Sequence, residues 1–218
     1  MRNLSRTARV LIVAVTLVIV LIAAGSVTVI LLQRIDTARN HHETMAGWQP
    51  ISGRWSSLSD TITNANYGRG DMLIATHSQG ANYKISADIR FDLLFTDTHY
   101  GDAGLVIRAT DPEPGVDSYQ GYYAGLRPDD QTVVLGPASF DWHELRVVRL
   151  ASPIAVGSWY HLEIAANGCH LAVTAAPEAG GTPTRIDYED DSCLASGVAG
   201  LRSFYAQASW RKVQITRN

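Results

Sequence analysis

The sequence from Gly47 onward alternates between apolar and polar side chains, as β-strands with one buried face do. The pattern is clearest from Tyr83 to Asp92, where every second residue is apolar and the intervening residues are polar or charged. Further strands are predicted near 53–58, 71–76, 104–110, 119–127, 131–135, 142–150, 197–204 and 207–216. Many short strands without an amphipathic helix predict an antiparallel β-sandwich.

The dipeptide Asn167-Gly168 is the clearest hairpin signal in the chain. Pairing about this turn places Ile164 opposite Leu171, which makes one face of the hairpin continuously apolar. His161 and Glu163 then point outward.

The residues from Val10 to Leu32 contain no charged side chain. A helix of this length spans a hydrocarbon layer of about 30 Å, at about 1.5 Å per residue. The stretch Ala23-Ala24-Gly25 resembles a cleavage site, so a cleaved signal peptide is the alternative. Because the apolar run continues well past that stretch, the sequence favours an uncleaved transmembrane anchor.

Charges on either side of this segment predict its orientation. Three arginines and no acidic residue precede it, whereas the arginines that follow it are mixed with Asp36. The excess of positive charge favours a cytoplasmic N-terminus and an extracytoplasmic C-terminal domain, as in a single-pass membrane protein. The predicted organisation is a cytoplasmic N-terminus (1–9), a transmembrane anchor (10–32), a stalk (33–46) and a β-sandwich domain (47–218).

The exported part is acidic, since residues 45–218 carry 13 basic and 19 acidic side chains. This balance argues against binding to nucleic acid or to an anionic lipid surface. Cys169 and Cys193 are the two cysteines of the chain, and an oxidising compartment favours a disulfide between them. A pair of buried thiols is the alternative.

Five stretches resemble a known family in their content and order. They read "YKISADIRF", "AGLVIRAT", "GYYAGL", "SWYHLEIAANG" and "GVAGLRSFYAQASWRKVQI". They resemble concanavalin A-like jelly rolls, in particular family 66 carbohydrate-binding modules and the 3-keto-disaccharide hydrolase domain, which is related to family 16 glycosidases. The resemblance covers roughly residues 50–217. It implies two curved antiparallel sheets, with sugar contacts on the concave face or its rim.

The resemblance does not by itself make the chain an enzyme. Family 16 glycosidases place two glutamates around an aspartate on one strand, and no stretch here matches that pattern. "DIRFD" has only aspartates, and "DYEDD" (187–191) stands beside Cys193 in a predicted loop. Glycoside hydrolysis needs two carboxylates about 5–9 Å apart. No such pair is identified, so the sequence favours a binding module.

The same acidic stretch is the one candidate for a metal. Its carboxylates, with loop carbonyls, have the chemistry of a Ca²⁺ site, and a solvated acidic loop is the alternative. The residues concerned are Asp187, Glu189, Asp190 and Asp191. No other cofactor or metal motif is present, so neither a cofactor nor a metal is predicted.

A charged residue directly after the apolar run "GLVI" raises the question of a binding site. If Leu105, Ile107 and Ala109 face the core, alternation turns Arg108 outward. Alternation also places three further side chains on outward faces. The four predicted ligand-binding residues are Arg108, Tyr123, Glu163 and Arg202. Glycines at 104, 125 and 200 have no side chain and would leave space above the sheet beside these residues. A guanidinium, a carboxylate and an aromatic plane suit the hydroxyls and the apolar face of a sugar ring.

Two simpler interpretations stand beside this one. Arg108 and Glu163 would also satisfy each other as an ion pair across a solvated sheet. Trp142 and Trp159 are candidate stacking platforms for a sugar, or they pack against the core or rim.

Together these observations predict a membrane-anchored, extracytoplasmic carbohydrate-binding module with a glycan as its ligand. One alternative is a glycan-processing hydrolase of the 3-keto-disaccharide hydrolase type. The other is a non-catalytic structural subunit whose sandwich packs on proteins of a membrane assembly.

Overall fold

The computed structural model describes residues 46–77, 79–95 and 101–217. Within these ranges the chain forms strands, turns and loops, and no helix. The predicted anchor (10–32) and nearly all of the predicted stalk lie outside the described residues. Among the residues that are described, no helix has the length and apolar character to cross a membrane.

The strands of the described residues pair into two antiparallel sheets of seven strands each. In chain order the strands are β1 (Trp48–Pro50), β2 (Trp55–Leu58), β3 (Thr61–Asn64), β4 (Arg69–Ala75), β5 (Tyr83–Leu94), β6 (Asp102–Thr110), β7 (Gln120–Arg127), β8 (Thr132–Ser139), β9 (Arg146–Arg149), β10 (Trp159–Asn167), β11 (His170–Pro177), β12 (Thr184–Glu189), β13 (Val198–Phe204) and β14 (Ala206–Arg217). Sheet A has the order β1-β4-β13-β6-β7-β8-β9, and sheet B has the order β12-β11-β10-β5-β14-β3-β2. The predicted antiparallel β-sandwich is therefore confirmed.

The main core lies between the two sheets. Alternate residues of the central strands point into it and are completely buried, including Ile85 and Ile89 of sheet B and Leu105 and Leu201 of sheet A. Trp210 of β14 is also fully buried, and its indole N–H donates to the carbonyl of Gly104 across the core at 3.2 Å. This hydrogen bond satisfies the one polar atom that the large ring carries into the apolar layer.

The outer face of sheet A is buried as well. A second, smaller apolar cluster there includes Val106, Tyr123 and Val134, and the half-buried Ile51 and Trp142 pack against it. The predicted strand 142–150 is shorter than expected, because continuous pairing with β8 is confined to Arg146–Arg149. Trp142 makes an isolated bridge to Ala138 of β8, and its side chain packs on this outer face. Side chains that leave the main core on sheet A thus enter a second protected environment instead of solvent.

The hairpin β10–β11 forms as predicted, but with a shifted register. Ile164 lies opposite Val173 and Asn167 lies opposite His170, so the central turn residues are Gly168 and Cys169. Gly168 takes a φ of 58° at the first central position, which is where a type II′ turn requires glycine. Because the shift is two residues, the apolar side chains stay on the inner face.

Candidate functional site

Arg108 occupies a β-bulge in β6. The pairing with β7 moves from Ile107–Tyr122 to Thr110–Gln120, and the pairing with β13 shifts at the same place, so β6 carries one extra residue. Arg108 is that residue, with a φ of 53°. A bulge of this kind resets the alternation of side chains. Ala109 therefore lies in the outer cluster of sheet A, not in the main core as predicted.

The side chain of Arg108 is 1% exposed, so the prediction of an outward-facing arginine is wrong. Its guanidinium donates to the carbonyl oxygens of three loops. Nε and Nη2 reach Ala81 at 3.0 and 2.6 Å, Nη2 also reaches Gly168 at 2.6 Å, and Nη1 reaches Leu194 at 2.7 Å. These four residues form the Arg108 cluster, in which a buried charge is compensated by several hydrogen bonds.

Two further bonds fix the same end of the sandwich. The backbone N–H of Arg108 donates to the Tyr83 hydroxyl at 2.6 Å, and burial raises the pKa of that tyrosine to about 12. Cys169 and Cys193, which directly adjoin Gly168 and Leu194, form a disulfide with Cα atoms 5.3 Å apart. The Arg108 cluster thus joins loops that the disulfide also joins.

Glu163 lies on the other sheet from the remaining predicted site residues. It sits on β10 of sheet B and forms an ion pair with Lys84 at 2.9 Å. It faces outward as predicted, but it shares a surface with neither Tyr123 nor Arg202. The alternative ion pair between Arg108 and Glu163 is also absent, since Arg108 bonds to backbone carbonyls.

Tyr123 and Arg202 do come together on the outer face of sheet A. The guanidinium carbon of Arg202 is 4.6 Å from the centre of the Tyr123 ring. Arg202 donates from Nη1 to Asp102 at 3.0 Å and from Nη2 to Asp117 at 2.6 Å. The Tyr123 hydroxyl donates to the same oxygen of Asp102 at 2.6 Å. One arginine, one tyrosine and two carboxylates therefore form a single hydrogen-bonded group.

Glycine makes room for this arrangement. Gly104 and Gly125 are cross-strand partners on β6 and β7, and the Tyr123 ring lies over both. A Cβ atom at Gly104 would come 2.8 Å from a ring carbon of Tyr123, and one at Gly125 would overlap the ring. The space above these two glycines is thus occupied by the Tyr123 ring, which lies along the sheet and reaches Asp102.

A cavity of about 140 Å³ opens beside this group. We call it the Arg202 cavity, and its walls are Asp102, Val116, Asp117, Tyr123, Arg127, Trp142, Arg202 and Phe204. A guanidinium has five N–H donors, of which two are given to the carboxylates above. Arg202 is 4% exposed, and its Nε has no hydrogen-bond partner among the described residues. The site therefore holds donor capacity that the protein itself does not use.

Burial and neighbouring charges have opposite effects on the pKa values of Arg202 and Asp102. Burial alone would lower the pKa of Arg202, but Asp102 and the neighbouring groups outweigh it and hold that pKa above its ordinary value. Burial raises the pKa of Asp102 in spite of Arg202. Burial and the Asp102 carboxylate also raise the pKa of Tyr123 well above its usual range. Arg202 is thus always charged, and the Tyr123 hydroxyl always carries its proton near neutral pH.

The two candidate tryptophans have different surroundings. Trp142 is half-buried, meets Tyr123 edge-on at 5.9 Å between ring centres and lines the Arg202 cavity. Trp159 lies on sheet B, where the guanidinium carbons of Arg90 and Arg211 approach its ring to 4.7 and 4.2 Å. Of the two, Trp142 is the one available to a ligand in this cavity.

Sequence reasoning missed two acidic members of the site. Asp102, Gly104 and Val106 are every second residue of one strand. The alternation that predicts an outward position for Gly104 and Val106 therefore predicts one for Asp102 as well. Asp117 lies in the loop between β6 and β7, and no local pattern marks it. Its role comes from a contact with a residue 85 positions away.

The acidic stretch considered for Ca²⁺ is partly strand. Asp187 and Glu189 belong to β12, whereas Asp190 accepts a hydrogen bond from the Tyr122 hydroxyl at 2.5 Å. The prediction of a loop throughout this stretch is therefore wrong. Within the described ranges, no three histidine, cysteine or acidic side chains are grouped so as to hold a metal ion.

The architecture is that of lectin-like jelly rolls. The carbohydrate-binding module CBM66 of Bacillus subtilis has a TM-score of 0.64 at 20% identity, over 78% of this chain and 94% of that chain. A legume lectin-like domain from Entamoeba histolytica has a TM-score of 0.59 at 7% identity, over 81% and 92%. The exoplasmic/lumenal domain of VIP36, bound to Ca²⁺ and Man3GlcNAc, has a TM-score of 0.58 at 12% identity, over 80% and 86%. These likenesses show the fold.

The sequence itself identifies the family. Residues 40–216 match the 3-keto-alpha-glucoside-1,2-lyase-like domain. The chain belongs to this family, which confirms the resemblance drawn from its motifs. No curated protein sequence matches the chain significantly.

Proposed function

We propose that this protein is a carbohydrate-binding module and that the Arg202 cavity is its sugar site. The observation that carries the proposal is the arginine itself. Arg202 is almost fully buried between two carboxylates, yet it lines a cavity and keeps unused N–H groups. Most buried polar groups are hydrogen-bonded, so an arginine with an unpaired Nε beside a cavity needs an explanation, and a bound ligand supplies one.

The rest of the cavity wall suits a sugar. Asp102 and Asp117 supply acceptors for hydroxyl groups, and the Arg202 guanidinium supplies charge-assisted donors. Trp142 and Phe204 add aromatic surface for the apolar face of a ring. The two arginines and two aspartates in the wall balance in formal charge, which favours a neutral sugar over an acidic one.

The size of the cavity sets how much of a glycan enters it. Pockets that enclose drug-sized molecules measure about 300–1,000 Å³. At about 140 Å³ the Arg202 cavity is smaller, and it suits one ring of a glycan.

The membrane anchor remains part of this proposal and rests on the sequence. The uncharged stretch 10–32 would hold the sugar-binding domain at the outer surface of a membrane. We expect the full-length chain to stay in the membrane fraction after an alkaline carbonate wash. A mature chain that begins near Ser26 would instead identify a cleaved signal peptide.

A glycan-array screen tests the function. The full chain would be kept in a detergent without a sugar headgroup, so that the detergent does not compete. We expect a defined set of glycans to bind, and Trp142→Ala to abolish that binding. Trp159→Ala is the matched control, because it removes the same side chain from sheet B and should leave binding intact. Equal losses in both variants would contradict the assignment of the site.

The family favours a second candidate function, a 1,2-elimination on a 3-keto-glucoside. Such a step needs a base to take the C2 proton and a proton donor for the departing glycosidic oxygen. Asp102 and the Tyr123 hydroxyl, 2.6 Å apart in the cavity wall, have these chemical capacities. Incubation with the 3-keto form of methyl α-D-glucoside would release methanol and an unsaturated ketone, seen by NMR. Turnover that Asp102→Asn removes would establish the lyase, whereas binding without product would establish the module.

A further inference from the structure

The hairpin between β10 and β11 contains the one Asn-Gly dipeptide of the chain, Asn167-Gly168. Both residues are exposed to solvent. Asparagine is a chemically labile residue, and a following glycine has no side chain to hinder attack by its backbone nitrogen on the asparagine side chain. The dipeptide that forms the hairpin turn is therefore also a place where the chain can be modified without an enzyme.

The modification is deamidation, and its chemistry needs only hydroxide and water from the solvent. Hydroxide removes the proton from the backbone nitrogen of Gly168, and that nitrogen attacks Cγ of Asn167. The new N–C bond closes a succinimide ring, while the bond from Cγ to Nδ2 breaks and Nδ2 takes up a proton and leaves as ammonia. Water then opens the ring at either carbonyl, which gives aspartate or isoaspartate at position 167.

A hydrogen bond protects the atom that starts this reaction. The backbone N–H of Gly168 donates to Oδ1 of Asn82 at 2.9 Å. This hydrogen bond must break before the nitrogen can lose its proton and attack, and the same oxygen would repel the nitrogen once it is negatively charged. The Asn82 side chain therefore raises the barrier of the first step.

The Arg108 cluster keeps Asn82 in this position. The guanidinium donates from Nε and Nη2 to the carbonyl of Ala81, the residue before Asn82, and from Nη2 to the carbonyl of Gly168. One arginine thus holds both the segment that carries the acceptor and the residue that carries the donor. Because its N–H is bound to Asn82 and its carbonyl to Arg108, Gly168 is fixed at both of its peptide groups.

We propose that Asn167 is a site of spontaneous deamidation and that the Asn82 side chain suppresses the reaction in the folded protein. Isoaspartate is the more disruptive product, because it adds a methylene group to the backbone next to Gly168 and close to the disulfide at Cys169. We expect this product to disturb the contact between Gly168 and Arg108. The inference does not depend on the proposed sugar site.

Peptide mapping by mass spectrometry tests the inference on the full chain, kept in detergent at mildly alkaline pH and sampled over time. We expect Asn82→Ala to deamidate at Asn167 about three to ten times faster than the wild type, the effect of one hydrogen bond on the barrier. Asn82→Asp is the matched control, because its carboxylate keeps an acceptor at the same place, and it should deamidate no faster than the wild type. The chain unfolded in urea gives the rate without protection and should be the fastest of all.

Amide hydrogen exchange, followed by NMR, separates a local effect from unfolding. In Asn82→Ala, exchange should become faster at Gly168 while the core strand β5 stays protected. The inference is overturned if Asn82→Ala deamidates at the wild-type rate, or if the wild type deamidates as fast as the unfolded chain. Faster exchange throughout β5 and β10 in Asn82→Ala would also overturn it, because opening of the whole sheet would then explain the faster deamidation.

Discussion

Arg108 and Arg202 lie on adjacent strands of sheet A, and both are almost completely buried. Their partners differ in kind. Arg108 donates to three backbone carbonyls, which belong to loops at one end of the sandwich. Arg202 donates to two carboxylates and lines an open cavity. Arg108 therefore holds loops of the fold together, whereas Arg202 remains next to a cavity that a ligand can enter.

This difference shows how a buried arginine can be interpreted. A guanidinium that donates to several backbone carbonyls uses its N–H groups within the protein. Such an arginine stabilises the fold and has little donor capacity left for a ligand. Carboxylates around a guanidinium instead create a charged and rigid group that keeps donors and acceptors available. Burial alone does not distinguish the two cases. The identity of the partners and the presence of a cavity do.

The largest expected effect follows from removing Arg108. Arg108→Ala removes the hydrogen bonds from the buried guanidinium to the carbonyls of Ala81, Gly168 and Leu194, and each hydrogen bond to a charged group contributes about 1.5–3 kcal/mol. We expect a loss of at least about 3 kcal/mol in the free energy of unfolding by denaturant. Arg185→Ala, on the exposed side of β12, is the control and should change little. An unchanged stability of Arg108→Ala would refute the structural role.

The disulfide should come next in size. In the chain-entropy account, the bond between Cys169 and Cys193 stabilises the fold by about 3–4 kcal/mol for a loop of this length. Because it joins the same loops as Arg108, replacing both cysteines by alanine should not add simply to Arg108→Ala in a double-mutant cycle. Strictly additive losses of stability would show that the two features act independently.

Replacing each arginine by lysine sharpens the comparison. A lysine keeps the charge but has no planar fork with five donors. Arg202→Lys should lower sugar affinity at least about tenfold, the loss of one charge-assisted hydrogen bond. Arg108→Lys should lower the melting temperature and leave sugar affinity unchanged. If Arg108→Lys instead lowered sugar affinity and Arg202→Lys left it unchanged, the sugar site would lie beside Arg108 and the account would be wrong.

The smallest expected effect concerns the outer face of sheet B, which has no part in either arginine group. Burial by itself would raise the pKa of Asp88, but Lys212 at 2.9 Å and His161 at 3.0 Å outweigh it, and the pKa is lowered. A lowered pKa contributes stability above the unfolded pKa of about 3.9 and loses it as the pH falls through the folded value. The unfolding free energy of Asp88→Asn should therefore fall less between pH 5 and pH 2 than that of the wild type. Identical slopes would contradict this assignment, and Asp187→Asn is the control.

Much of the fold could be predicted because alternation is a local property. Parity correctly assigned Leu105, Tyr123, Leu201 and Arg202 to their faces. It failed at Arg108, since an inserted residue in a bulge reverses the alternation and leaves no mark in the sequence.

The site was harder to predict because it depends on long-range pairing. Alternation says that Glu163 faces outward, but it does not say from which sheet. The outer face of sheet A is buried by loops, and no local pattern reveals that Asp117 approaches Arg202 from one of them. Two of the four predicted ligand-binding residues, Tyr123 and Arg202, meet in the structure, and their role in binding stays a prediction.

The central claim is that sugar binds at Arg202 and not at Arg108. The most direct test is an NMR titration of the ¹⁵N-labelled full chain with a glycan found in the array screen, observing the arginine Nε–H and tryptophan indole signals. We predict that the signals of Arg202 and Trp142 shift together with sugar concentration, while those of Arg108 and Trp159 stay in place. Shifts at Arg108 or Trp159 with none at Arg202 and Trp142 would contradict the account.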